Sequence, residues 1–357
     1  MKLCLIAPTP PPYGGVANWE QIIESEIKKD KDVEVSLIDI SANKRPLDGR
    51  NFFDRYVYSG YVMLRAYFKL LSRAKKDRPD VVHITTSGGM GFYRDLLLLQ
   101  FLKKKGIPSV YHLHFGRTVQ YKEEGGRCWK QLLKSAKLAN RTIAIDNKTF
   151  RLLKEEGIKV VEINNPIAVR EFDRFLCQSE KKIITYVGWI IKPKGVEELI
   201  QAFNRFAEGK GRDYELFLIG PGDREYIEKL KAMACDKVVF LGERPHEETM
   251  EILAESCGLI LPSYTEGFPN VILEAMALRK YVVGTKVGAI PEMLSDDAGV
   301  LIEAKNVEDI WRALEKLTDE AERKRIASKG YEKVLKNYDV EVTMAKYRDV
   351  WSMKEEF

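Results

Sequence analysis

The chain has 357 residues, 45% hydrophobic and 31% charged, with 25 glycines and 14 prolines, a balance that excludes collagen-like, low-complexity and disordered classes. No apolar run approaches the ~18 residues of a spanning helix, and the five cysteines form no C-x-x-C pair, which argues against a zinc site or a disulfide framework and suits a reducing cytoplasm. The net charge of +5 is uneven: residues 1–170 hold 30 Lys and Arg against 18 Asp and Glu (+12), leaving 28 against 35 (−7) for 171–357, so the first half is expected to meet an anionic partner.

The apolar start, Leu3 to Ala7, is too short for a secretory signal and runs into Pro8, Pro10, Pro11 and Pro12, so it reads as a first buried strand. Further strands are predicted at Val33–Ile38, Val81–Ile84, Ser109–Leu113, Thr142–Ile145 and Val160–Ile163. Amphipathic helices are predicted between them at Trp19–Lys29, Tyr61–Lys76, Arg94–Lys105, Trp129–Ala139 and Lys148–Glu156. Near-continuous apolar strands alternating with helices describe a parallel, doubly wound sheet buried on both faces. Residues 1–168 are read as this domain and 169–180 as a linker. A second series follows within 181–339, with strands at Lys182–Val187, Tyr214–Ile219, Val238–Leu241, Gly258–Leu261, Tyr281–Gly284 and Gly299–Ile302. The charged stretch 340–357 is predicted to be a helix that packs back on the first domain. In such folds ligands bind beyond the carboxyl ends of the strands, and two such domains predict a cleft there.

Three segments at predicted strand ends carry chemistry. The run Pro262-Ser263-Tyr264-Thr265-Glu266-Gly267-Phe268-Pro269-Asn270-Val271-Ile272-Leu273-Glu274-Ala275-Met276-Ala277 places two carboxylates eight residues apart. Pro269 suits the first turn of a helix, which leaves Glu266 in the loop ahead and Glu274 on the helix. Backbone N–H groups at such a terminus hold phosphate, and carboxylates accept bonds from sugar hydroxyls. The second segment, Val187-Gly188-Trp189-Ile190-Ile191-Lys192-Pro193-Lys194-Gly195, offers Lys194 as a phosphate cation. A fixed ammonium there stabilises a departing diphosphate more than the ground state. The third, Val110-Tyr111-His112-Leu113-His114-Phe115-Gly116, puts His114 at a strand end, with His112 and His83 as weaker candidates.

The Glu266 to Glu274 run resembles the E-x7-E motif of the family-four retaining glycosyltransferases, the glycosyl transferases of group 1, whose GT-B fold is two Rossmann-like domains facing across a cleft. The likeness extends through Ile163-Asn164-Asn165-Pro166, Ile219-Gly220-Pro221-Gly222, Leu241 to Glu248 and Gly284 to Glu292. It implies that Glu266 contacts the transferred sugar beside the N–H groups of Gly267 and Phe268, that Pro269, Asn270 and Val271 line the donor site, and that Glu274 holds the ribose. It also implies that Gly15, in the loop Pro12-Tyr13-Gly14-Gly15-Val16-Ala17, approaches the donor and that His114 lies near the sugar. Gly188 and Trp189 stand where the family usually has Gly-Arg, so one cation is missing, and Arg244 or Lys192 is a substitute. Trp189 itself is expected to pack in the ordinary way, and His246 to sit in a helix-entry turn.

The implied activity is metal-independent transfer, with retention, of a sugar from a nucleoside diphosphate sugar (UDP first, GDP next) to a saccharide or lipid-linked acceptor in polysaccharide, lipopolysaccharide or glycolipid assembly. A non-catalytic subunit that binds a nucleotide sugar on the same fold is the alternative. No cofactor or metal is expected: Asp30-Lys31-Asp32 reads as solvated surface despite its D-x-D form, and the absent G-x-G-x-x-G argues against a dinucleotide enzyme. The segment Tyr61 to Lys76 is apolar and aromatic on one side and basic on the other. It fits either a core-facing helix or contact with an anionic membrane, giving a cytoplasmic protein peripheral to the inner face of the plasma membrane. Nucleic acid is not an expected partner, since no recognised motif accompanies the basic charge.

Overall fold

A computed structural model describes residues 1–10, 15–41, 52–177 and 180–354. The chain forms two compact units, residues 1–166 with 340–357 and residues 167–339. Pro12, Tyr13 and Gly14 of the first loop lie outside the described residues.

The first unit holds β1 (Lys2–Ala7), β2 (Glu34–Asp39), β3 (Val81–Thr86), β4 (Ser109–Leu113), β5 (Arg141–Ala144) and β6 (Val160–Glu162), in the order β2-β1-β3-β4-β5-β6. The second holds β7 (Ile183–Val187), β8 (Glu215–Ile219), β9 (Val238–Gly242), β10 (Gly258–Leu261), β11 (Tyr281–Thr285) and β12 (Val300–Ile302), in the order β12-β11-β10-β7-β8-β9. Every strand pair is parallel. Every residue of β3, β4, β10 and β11 is buried, as a sheet covered by helices on both faces requires.

The covering helices follow from residue spacing. Val196–Glu208 buries Val196, Leu199, Ile200, Phe203 and Phe206 along one stripe. Asp146, Asp223, Asn306 and Asp319 each cap a following helix through a side-chain oxygen. Connections leave in opposite directions from β1 in the first unit and from β7 in the second. The crevice positions of such sheets therefore lie past β1 and β3, and past β7 and β10.

Several elements differ from the sequence reading. Helices start earlier than periodicity indicates, at Gly15, Phe52 and Gly91, and Thr118–Glu124 is an additional helix. The supposed linker is in part structured: Val169–Phe175 is a 3-10 helix, with Val169 and Phe172 in the core of the second unit. Helix Val340–Trp351 belongs to the first unit, where Trp19 Nε1 donates to the Tyr347 hydroxyl at 2.8 Å and Arg348 pairs with Asp30 at 3.2 Å. Among the described residues, no helix is long and apolar enough to cross a membrane.

Candidate functional site

In the second unit, the loops after the adjacent strands β7 and β10 are built against each other. Tyr264 N–H donates to Pro193 O at 2.9 Å. Gly195, at φ +68°, lets the first loop approach so closely that a Cβ there would meet Pro262 O at 2.2 Å. Both the left-handed backbone and the contact demand glycine. On the far side, Thr285 Oγ1 donates to Ser263 O at 2.6 Å, and a Cβ at Gly288 would stand 2.3 Å from Glu266 O. Two segments distant in sequence, Pro193 to Gly195 and Thr285 to Gly288, thus hold the Glu266 loop.

This framework brings Lys194 Nζ to 2.5 Å from Glu266 Oε1, with side chains 23% and 11% exposed. The pair is a charge-assisted bond at a crevice position, stronger than an exposed pair because little water screens it. Burial, followed by the charge of Glu266, pushes the Tyr186 hydroxyl well above its ordinary range, and this hydroxyl donates to Trp189 O at 2.7 Å. The turn at Gly188 and Trp189 is thereby fixed through its backbone. Trp189 is 40% exposed, which corrects the expectation that it packs in the ordinary way: among the described residues, neither hydrophobic core includes it.

Pro269 is the N-cap of helix Asn270–Ala277 rather than part of its first turn. Gly267, Phe268, Asn270 and Val271 are all partly exposed around that helix terminus, where the first N–H groups lack intrahelical acceptors. Glu274, on the same helix, accepts a bond from His246 Nε2 at 3.0 Å, and that bond is the main cause of the raised His246 pKa. His246, expected in a helix-entry turn, is the first residue of helix His246–Glu255. Arg244 is 43% exposed, donates to Leu241 O and lies 3.8 Å from Glu248, so its guanidinium is only weakly engaged. Lys192 is exposed.

In the first unit, Gly15 opens helix Gly15–Lys28 and is exposed. His114 follows β4, its N–H donating to Thr86 O at 2.8 Å and its Nε2 lying 3.0 Å from His112 Nδ1. Burial pushes its pKa down to about 3, so the ring is neutral at physiological pH. His83 and His112, the weaker candidates, join it in one cluster, His83 Nε2 being 3.2 Å from His112 Nδ1. Asp30 and Asp32 form a turn between helix Gly15–Lys28 and the amino end of β2, away from the strand ends that carry these residues. Among the described residues, no group of three or more His, Cys, Asp or Glu side chains is placed to hold a metal.

Comparison with known proteins gives two family matches, Glycosyltransferase Family 4 over residues 29–171 and Glycosyl transferases group 1 over residues 170–333. The chain is 27% identical over 215 residues to the capsular polysaccharide biosynthesis glycosyltransferase CapM of Staphylococcus aureus, covering 54% of this chain and 55% of that one. It is 30% identical over 176 residues to N-acetyl-alpha-D-glucosaminyl L-malate synthase of Bacillus anthracis, covering 48% and 45%. The chain thus spans about half the length of these curated relatives. The crystal structure of Anabaena HepE in complex with UDP superposes with a TM-score of 0.74 at 16% identity, covering 99% of this chain and all of that one, which is a likeness of fold.

Proposed function

The chain belongs to the group 1 glycosyltransferases of GT-B fold, and on that premise we propose that it moves a sugar from a nucleoside diphosphate sugar to a saccharide or lipid-linked acceptor, with retention of configuration and without a metal. The observation that carries this reading is the Lys194–Glu266 pair where the loops after β7 and β10 meet. Its cation answers a diphosphate, and its carboxylate answers sugar hydroxyls. UDP is the favoured carrier, given the UDP complex of HepE, and polymer or glycolipid assembly the favoured setting, given the capsular role printed for the Staphylococcus aureus relative.

In the proposed reaction the bond between the anomeric carbon and the diphosphate oxygen breaks, and its electron pair leaves with the nucleoside diphosphate. Lys194 and the N–H groups of Gly267 and Phe268 stabilise that growing charge. Glu266 and His114 orient the sugar, and Glu274 holds the ribose. The acceptor oxygen bonds the anomeric carbon from the face the diphosphate leaves, its proton passing to a phosphate oxygen, so configuration is retained.

An anionic membrane surface is the proposed setting for the acceptor. Val57, Tyr61, Leu64 and Phe68 are 57%, 58%, 50% and 62% exposed. At spacings of four, three and four they form one stripe on helix Phe52–Lys76, opposite the buried Val62, Ala66 and Leu70, with exposed Lys75 and Lys76 at its end. An apolar line ending in lysines is the composition of an interfacial helix.

The test is release of nucleoside diphosphate from a panel of UDP- and GDP-sugars in EDTA. Turnover with one donor, lost in Glu266→Ala, supports transfer. Donor binding without turnover across saccharide and lipid acceptors would replace it with the scaffold reading, for which the missing cation at Trp189 is the motive.

A further inference from the structure

Strand β6 ends the sheet of the first unit, with β5 on one side and, among the described residues, no strand on the other. Thr142 N–H donates to Lys159 O, and Ile163 N–H donates to Ala144 O. Successive residues of a strand turn their N–H and C=O groups to opposite sides. Val161 therefore completes the ladder to β5, and Val160 and Glu162 turn their groups outward. Among the described residues these outward groups meet no hydrogen-bond partner. A groove of about 620 Å3 runs along this edge, lined by Lys159 to Ile163, by Phe150 and Lys154 of helix Asn147–Glu155 and by Lys346 of helix Val340–Trp351. Helix Val340–Trp351 packs on helix Gly15–Lys28, whose crossover leaves β1 in the opposite direction from the crossover that leads from β5 to β6. The two walls of the groove thus stand on opposite faces of the sheet.

The rim is basic. Arg141 donates to the main-chain carbonyls of Asn140 and Lys354, both at 3.1 Å, and Lys154 Nζ lies 5.3 Å from the centre of the Phe150 ring. Among the described residues, Arg141, Lys154, Lys159 and Lys346 make no ion pair. The carboxylate lining the groove, Glu162, accepts from Asn147 Nδ2 at 2.8 Å. An adjoining hollow of about 510 Å3 shares Arg141, Ile158 and Lys159 and adds Lys103 and Lys137, which carries the positive charge past the amino end of β6. Cations gathered without counter-charges attract an anionic partner. Lysines on a sheet edge repel a second copy of the same edge and admit a segment of opposite charge. A lipid headgroup or an acidic polysaccharide answers the cations alone. Another backbone also answers the donors and acceptors of Val160 and Glu162, at the spacing of a strand.

We propose that the β6 edge is a docking groove for an extended acidic segment of a partner protein, which adds to the sheet as a further strand. Its backbone pairs with Val160 and Glu162, its carboxylates meet Lys154, Lys159, Arg141 and Lys346, and its alternate apolar side chains lie on the partly exposed Phe150 and Val160. The groove belongs to the first unit alone, so the inference holds whichever sugar and acceptor the chain uses.

The experiment is fluorescence anisotropy of a labelled peptide of alternating Glu and Val, titrated with the full chain at low salt, where saturable binding is expected. The same peptide N-methylated at every residue keeps its charge and cannot donate, and is expected to bind at least ~tenfold more weakly. Val160→Pro removes one outward N–H without touching the bonds to β5, which Val160 does not make, and is expected to weaken binding about three- to tenfold. Lys154→Glu with Lys159→Glu is expected to weaken it about tenfold, with Tm nearly unchanged because both side chains are exposed. No saturable binding by the wild-type chain overturns the proposal. So does equal affinity for the N-methylated peptide, which would leave a charge-only surface open to lipid or polysaccharide; this comparison needs no variant to fold. Peptide binding that appears only when residues 355–357 are removed also overturns it, by making the chain's own end the occupant.

Discussion

Lys194→Ala separates catalysis from stability, because the proposed function gives the lysine a part in the first and its pairing with Glu266 gives it a part in the second. If it is the ammonium facing a departing diphosphate, as proposed, it stabilises charge that grows in the transition state. Losing one such group costs roughly 2.7–4 kcal/mol, or about 10² to 10³ in kcat. Its removal also leaves Glu266, with an 11% exposed side chain, facing no cation. Breaking a fully buried pair costs about 3–5 kcal/mol. Here the lysine is 23% exposed, so water reaches the orphaned carboxylate and the expected cost falls to about 1–2 kcal/mol. For a unit of this size that lowers Tm by roughly 2–8 °C. Nucleoside diphosphate release, measured well below the melting transition of the variant, reads the first effect, and calorimetry reads the second. Lys194→Arg keeps the charge and is expected to retain more turnover than Lys194→Ala. The reasoning fails if Lys194→Ala turns over within about fivefold of wild type, or if Arg and Ala lose activity equally, which would assign the effect to shape instead of charge.

Gly195→Ala puts a Cβ 2.2 Å from Pro262 O at a φ of +68°. It should destabilise by at least ~2 kcal/mol in denaturant unfolding, whereas Gly89→Ala, with positive φ but nothing within 4 Å, should cost less. The pKa of His246 is raised by its bond to Glu274, so this pair adds stability that is complete below the unfolded histidine pKa of ~6.5 and is lost as pH rises through the folded value. Wild-type unfolding free energy should therefore fall slightly across that window relative to His246→Gln, the change being small because the imidazole is 56% exposed. Leu64→Asp with Phe68→Asp should abolish flotation with vesicles containing anionic phospholipid while leaving Tm nearly unchanged, since both side chains are exposed; unaltered flotation would remove the membrane from the proposal.

The twelve strands are legible in the sequence because a sheet covered on both faces needs continuous apolar runs, and such runs resemble little else of that length. The supposed linker misleads because its contribution to the core rests on Val169 and Phe172, set among charged residues that hide their packing. Glu266, Glu274, Lys194 and His114 can each be named from local sequence. That Lys194 meets Glu266 cannot, because 72 residues separate them and their meeting depends on β7 pairing with β10, an order that no local pattern encodes. The groove along β6 is hidden for the same reason: it needs β6 at the edge of its sheet and a helix nearly at the end of the chain. Trp189 shows the converse. Its departure from the usual arginine is plain in the sequence, but its consequence depends on the backbone. Because the Tyr186 hydroxyl holds the Trp189 carbonyl, the turn does not depend on which side chain leaves it. On the proposed function, Trp189→Arg is therefore expected to raise turnover while leaving the Lys194–Glu266 pair in place, and unchanged turnover would show that the missing charge is not limiting.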